Sequence, residues 1–194
     1  METITDDMRA DLKQACQVLE EGGVILYPTD TVWGIGCDAT NAEAVERVYR
    51  LKQRADSKAM LILVDSAVKV DYYVTDVPSI AWDLIELTTR PLTLIYSGAR
   101  HLAPNLIAAD GSIGIRVTRE TFSHALCQRF RRAIVSTSAN IAGAPTPQRF
   151  ADIDPRLLAA ADYVCRSRRN ETQPSQPSSI IKIEAGGLFH IIRP

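Results

Sequence analysis

"TFSHALCQRFRRAIVSTSAN", Thr121 to Asn140, decides the fold class. Its first part, about 121 to 131, reads as a helix. "AIVS", 133 to 136, follows as a short apolar strand. Ser136, Thr137, Ser138 and Asn140 then crowd three hydroxyls and an amide at the expected end of that strand. A turn needs one or two such residues, not four. A helix feeding straight into a buried strand points to an α/β unit, and the surplus of polar groups points to a site.

The same alternation runs outward in both directions. Toward the N-terminus, Met8, Leu12, Ala15, Cys16 and Leu19 fall at helical spacing, and Gly22-Gly23 stops that helix. "VILY", 24 to 27, is a buried strand, and "PTDTVWGIGCD", Pro28 to Asp38, reads as a loop rich in Thr and Gly. A second helix starts at Thr40 or Asn41, where Thr40 and Glu43 fit a capping box. Ala44, Val45, Val48 and Leu51 form its apolar face, and it ends near Lys52 to Arg54. "AMLILV", 59 to 64, "LTLIY", 92 to 96, and "SIGIRV", 112 to 117, are strands, with a helix at 78 to 89. Beyond the opening stretch come a helix at 155 to 161, the short strand "DYVC", and a closing hairpin of "SSIIKIE" and "LFHIIRP" around Gly186-Gly187. The fold class is α/β: one domain over 1–194, with a partly parallel, mixed sheet flanked by helices.

Composition sets limits. The 194 residues are 46% hydrophobic and 23% charged, enough for one substantial core. The net charge of -1 gives no global field for nucleic acid. Cys16, Cys37, Cys127 and Cys165 form no C-x-x-C pair, and His101, His124 and His190 are scattered, so no metal-ligand spacing exists. No apolar run approaches the ~20 residues that span a bilayer, and the acidic N-terminus is not a signal peptide. A cytoplasmic protein with reduced cysteines is the expectation.

Several residues could carry chemistry. Lys52, Arg54 and Lys58 put three cations within "KQRADSK". On a continuing helix Lys52 and Arg54 would point about 200° apart, so they converge only if the helix ends between them. Converging Lys and Arg suit phosphate; a solvated helix end whose cations complement the helix dipole fits the spacing as well. The Ser136–Asn140 loop can bind ligand oxygens without adding charge, or serve as an ordinary cap or turn. No G-x-S-x-G elbow marks a serine nucleophile. Thr29 and Thr31 follow a strand, and Gly34 and Gly36 would let a ligand approach the backbone. No Walker or G-x-G-x-x-G pattern is present. Trp33 is a core residue or a ring over a ligand. Arg116, closing an apolar strand and followed by Thr118, must be paired or face a cavity. Ser178 and Ser179 at a strand start, and Arg193 at the end of the chain, are weak features alone.

Together, "LYPTDTVWGIGCDA", "LKQRADSKAM", "IGIRV", "STSANIAGAP" and "PSSII" resemble the YrdC-type threonylcarbamoyl-AMP synthases, in order and spacing from about Val24 to Pro194. The resemblance implies a YrdC-like twisted, partly open mixed sheet flanked by helices with a large central cavity, and a reaction of L-threonine, bicarbonate and ATP that gives L-threonylcarbamoyl-AMP and pyrophosphate. The product serves modification of the tRNA adenosine beside the anticodon, completed by a downstream threonylcarbamoyl transferase. By the same resemblance, Lys52 and Arg54 are the catalytic cations on the triphosphate, expected near the cavity surface. Thr29, Thr31, Lys58, Arg116 and Ser178 hold threonine and its carbamate. Thr118, Ser136, Ser138, Asn140 and Arg193 join Lys52 and Arg54 on ATP. Magnesium on the phosphates is chemically expected, although no carboxylate cage for it stands out. The sequence departs from the family pattern at Ala55, in place of Pro, and in "TTRPLT", Thr88 to Thr93, where Arg90 adds a cation. The rival reading is a catalytically inactive YrdC-like module that binds tRNA or double-stranded RNA, with strong salt dependence. A carbamoyl-transfer domain of hydrogenase maturation proteins is disfavoured, because no zinc-finger-like or acylphosphatase-like segment is attached.

Overall fold

The computed structural model describes residues 3–53, 60–172, 176–184 and 186–194. The chain opens with helix α1 (Asp6–Glu20), capped by the Thr5 side chain. Strand β1 (Ile25–Tyr27) and strand β2 (Gly34–Gly36) follow, and then helix α2 (Ala42–Lys52). Strand β3 (Leu61–Val64), helix α3 (Val68–Tyr73), helix α4 (Ser79–Leu87) and strand β4 (Leu92–Tyr96) make the middle of the chain. Strand β5 (Ile113–Val117), helix α5 (Thr121–Phe130) and strand β6 (Ile134–Ser138) come next. Helix α6 (Pro155–Ala160) and strands β7 (Tyr163–Val164), β8 (Ser179–Ile183) and β9 (Phe189–Arg193) complete it.

One nine-stranded sheet runs in the order β7-β1-β2-β6-β3-β5-β4-β8-β9 and does not close. β1–β7, β3–β5 and β4–β8 are parallel, and the other neighbours are antiparallel. The mixed α/β expectation is met. The central strands are buried along most of their length, with Ile62, Leu63, Ile115, Ile134 and Val135 at 2% exposure or less. α1 packs on α5, and α5 on β3, where the Cys127 thiol reaches the Leu63 carbonyl at 3.7 Å. Asp11 anchors α1 to the far end of the chain. Its buried carboxylate accepts from the Tyr163 and Ser167 hydroxyls at 2.6 Å and from the backbone N–H groups of Arg166 and Ser167.

Four boundaries differ from the sequence reading. The Thr/Gly loop holds a strand, β2, at its centre. Glycine is what lets it sit there: a Cβ on Gly36 would stand 2.5 Å from the Val135 carbonyl oxygen and 2.6 Å from the Tyr27 ring. The α2 cap is Asn41, whose side chain accepts from the N–H groups of Glu43 and Ala44, while Thr40 donates to Asp38 instead. The six-residue α3 is too short for a periodicity to register. Finally, β6 does not stop at Ser136 but runs on to Ser138, so three of the hydroxyls belong to a strand.

Candidate functional site

That extension of β6 builds the site. Side chains alternate across a strand, so Ser136 and Ser138 share a face, as do Gly114 and Arg116 of β5 and Thr93 and Ile95 of β4. These residues, with Leu61, Ser112, Thr31, Gly34, Ser178, Ile180 and Arg193, surround a cavity of about 310 Å³. Its size is at the lower end for ligand pockets, ~300–1,000 Å³. Gly34 keeps the wall thin, for a Cβ there would lie 3.3 Å from Thr29 Cγ2.

The cavity is polar in a specific way. Thr31, Thr93, Ser112, Ser136, Thr137, Ser138, Thr146 and Ser178 bring hydroxyls, and among the described residues Arg116 and Arg193 bring positive charge. Arg116 is 3% exposed and lies 3.0 Å from Asp30 Oδ1. The pair is close but not aligned as a hydrogen bond, leaving both Arg116 Nε and Asp30 Oδ1 buried without one. Burial pushes the Asp30 carboxyl upward, opposed by Arg116. Arg193 donates through Nε to the Ser178 carbonyl at 2.8 Å and through Nη2 toward its hydroxyl at 3.4 Å. Its pKa is lowered, first by desolvation and then by the neighbouring Arg116 charge. Two guanidiniums that repel one another across a partly desolvated space form a receptor for an anion. The Thr93 and Ser178 hydroxyls bond to each other at 2.9 Å and fix that corner.

Lys52 has a different place from the one expected. It is 2% exposed and is absent from the cavity lining. α2 does end between Lys52 and position 54: Gln53 takes a left-handed backbone at φ 50. The ammonium then donates to the Ser138 carbonyl and, at 2.7 Å, to the Asn140 carbonyl. The Lys52 carbonyl accepts from Ala142 N–H at 2.8 Å. So the end of α2 is bonded to the 138–142 segment rather than standing across a hollow from it. Arg54, Ala55 and Lys58 lie outside the described residues.

The remaining expected residues divide by role. Asn140 ties its own loop: its side-chain oxygen accepts from Ser138 Oγ at 2.5 Å, and its nitrogen donates to the Ala144 carbonyl at 2.6 Å. Thr29 folds the turn that presents Thr31, its hydroxyl donating to the Val32 carbonyl at 2.8 Å and accepting from Thr31 N–H. It borders a small side recess with Trp33 instead of the main cavity. Trp33 is 6% exposed and packs on Phe150, ring centres 4.9 Å apart. Thr118 is fully buried, its hydroxyl 2.7 Å from that of Ser123 at the start of α5, outside the cavity. Thr31, Arg116, Ser136, Ser138, Ser178 and Arg193 are therefore brought together, and Lys52, Asn140, Thr29 and Thr118 support them from outside the lining. Thr93, Ser112 and Thr146 were missed. A signal for two existed: Thr93 interrupts an apolar strand, and Ser112 falls in alternation with Gly114 and Arg116.

Among the described residues no group of three or more His, Cys, Asp or Glu could hold a metal ion, and no helix is long and apolar enough to cross a membrane.

Comparisons with known proteins identify the family and agree with the fold. The model of the Sua5/YciO/YrdC family, described as "Telomere recombination", matches residues 17–194. A threonylcarbamoyl-AMP synthase of Xylella fastidiosa is 32% identical over 186 residues, covering 94% of this chain and 96% of that protein. The crystal structure of E. coli YciO superposes with a TM-score of 0.82 at 24% identity, over 96% of this chain and 89% of that one. P. abyssi Sua5 complexed with L-threonine gives a TM-score of 0.80 at 20% identity, over 92% of this chain; this chain spans about half of it, 52%. The chain belongs to the Sua5/YciO/YrdC family.

Proposed function

We propose that this protein is an L-threonylcarbamoyl-AMP synthase, a nucleotidyltransferase using L-threonine, bicarbonate and ATP. The observation that carries the reading is the convergence of Arg116 and Arg193 on a cavity whose other polar side chains, among the described residues, are hydroxyls set between apolar ones such as Leu61, Ile95 and Ile180. Such a site suits an anionic, oxygen-rich molecule: Arg116 is partly offset by Asp30, and Arg193 has no carboxylate partner among the described residues. The relatives named as threonylcarbamoyl-AMP synthases and the threonine complex of P. abyssi Sua5 support the choice of substrate.

The chemistry balances without a covalent intermediate on the protein. Threonine's amine adds bicarbonate with loss of water, giving a carbamate. A carbamate oxygen attacks the α-phosphorus of ATP, the bond to the β-phosphate oxygen breaks, and pyrophosphate leaves. Arg116, Thr31 and Ser178 hold the threonine carbamate, and Ser136, Ser138 and Arg193 the α-phosphate side. The cavity matches the reacting groups better than a whole nucleotide, so the adenosine end lies toward its mouth. Lys52 and Asn140 act by fixing the 138–142 segment, a contribution to alignment rather than contact. The described residues offer no carboxylate cluster for magnesium, and Asp30 is already held by Arg116, so the ion would arrive on the ATP phosphates. The product is consumed by a transferase that acylates the tRNA adenosine beside the anticodon, which places the reaction in the cytoplasm.

A pyrophosphate-release assay with ATP, bicarbonate and each amino acid in turn tests the reading. Release with threonine and bicarbonate together is expected. No turnover, with tight salt-sensitive binding of double-stranded RNA, overturns it in favour of an RNA-binding module.

A further inference from the structure

The opposite face of the sheet carries a cavity that the proposed reaction does not use. Leu92, Leu94 and Tyr96 of β4, with Ile115 and Val117 of β5, point away from the hydroxyl-lined site because strand side chains alternate. They meet Val70 of α3 and Ile85 of α4 around about 310 Å³. Protein cores are normally filled to crystal-like density, so a space of this size between a sheet and two helices is not ordinary packing. Tyr96 in its wall is 1% exposed, and its hydroxyl has no hydrogen-bond partner among the described residues. Buried hydroxyls are nearly always bonded.

The rim is charged, and its charges are unevenly matched. Asp30 is taken up by Arg116 at 3.0 Å. Arg168 pairs with Glu120 at 3.1 Å and Glu171 at 2.6 Å. Arg119 donates to the Ile85 and Thr88 carbonyls at 2.6 and 3.0 Å, with no carboxylate partner among the described residues. Arg90 is exposed on the 88–91 side of the rim, and among the described residues its guanidinium has neither an ion pair nor a hydrogen bond. Arg90 also lies in the "TTRPLT" segment, of which the threonylcarbamoyl-AMP cavity takes Thr93 but not Arg90.

We propose that this second cavity binds a small monoanion with an apolar body, such as an arylalkyl carboxylate. The body lies among Leu94, Ile115 and Val117, and the carboxylate meets Arg90 at the rim. The site is separated from the first by the Asp30–Arg116 contact, since Asp30 borders one cavity and Arg116 the other.

The test titrates sodium 4-phenylbutyrate, and separately its neutral amide, into the full chain with ¹³C-labelled Leu, Ile and Val methyls. Saturable shifts are expected at Leu94, Ile115 and Val117 but not at Leu61 and Ile180, which face the first cavity. The acid should bind about tenfold more tightly than the amide, and Arg90→Ala, a change on the exposed rim, should erase that preference. Shifts at Leu61 and Ile180 instead, or none at millimolar probe, overturn the site. Equal affinity for acid and amide, or a preference that survives in Arg90→Ala, overturns the anion assignment. The readout is binding, so it stands or falls separately from turnover.

Discussion

Lys52 illustrates how far a side chain's neighbours can redirect its role. Its sequence setting suggests a phosphate-binding cation at a cavity surface, yet its ammonium is buried against the Ser138 and Asn140 carbonyls. Replacing it strips a charged donor from buried acceptors, at about 2–3 kcal/mol for such bonds. Lys52→Met should therefore lower the unfolding free energy by that amount, read from urea denaturation, as well as reduce turnover; lost turnover with unchanged stability would mean that Lys52 acts on the ligand directly. Arg193 is the contrasting case. It is exposed, borders the cavity, and among the described residues its side chain bonds to Ser178 alone. Arg193→Gln should weaken threonine and ATP binding by calorimetry about tenfold or more, as expected for removing a charge-assisted contact. Its unfolding free energy should stay within about 0.5 kcal/mol of the parent. Unchanged affinity would remove Arg193 from the site.

At the scale of elements, two predictions concern how strands and helices are locked. β2 passes so close to β6 and Tyr27 that only glycine fits at position 36. Gly36→Ala should cost about 1–3 kcal/mol, the usual range for overpacking a tight core, and a chemical-denaturation curve reads it directly. α1 is held through Asp11. Burial alone would raise the pKa of that carboxyl; the bonds from Ser167, Tyr163 and Arg166 outweigh it and hold it below its ordinary value. An acid whose folded pKa is depressed stabilises the fold above its unfolded pKa, about 3.9 for Asp, and ceases to as pH falls through the folded value. The stability gap between the parent and Asp11→Asn should therefore be full at pH 6 and close as pH drops below about 4. A gap constant over that range would show that the charge of Asp11 contributes nothing.

The same scale explains what the sequence did and did not disclose. α2, α4, α5, β4 and β5 were readable because each is long enough for its period to repeat. β2 was hidden, because Gly-Ile-Gly has neither β-branched alternation nor length. The end of β6 was misplaced for a better reason: Ser136, Thr137 and Ser138 are turn-formers by composition but strand residues by pairing, opposite Leu61 and β2. The cavity floor followed the same logic. Polar residues every second position in otherwise apolar strands mark a face that lines a site, and reading Ser112-Gly114-Arg116 that way would have found Ser112. The engagement of Lys52 by a loop 86 residues away could not be read locally at all.

At the scale of the whole molecule, the sheet separates two faces with different chemistry. One gathers hydroxyls and two guanidiniums; the other is apolar beneath helices. The middle of the sheet is what makes this arrangement rigid, because β3, β5 and β6 are buried by neighbours on both edges. The central claim is that the hydroxyl-lined face joins threonine, through a carbamate, to the α-phosphate of ATP. Mass spectrometry of a reaction run with ¹³C-bicarbonate, ATP and threonine tests it most directly. The account predicts a threonylcarbamoyl-AMP product carrying the label, absent without threonine and strongly reduced in Arg193→Gln. A nucleotide pool with no labelled adduct, from protein that is folded and binds threonine, would contradict it.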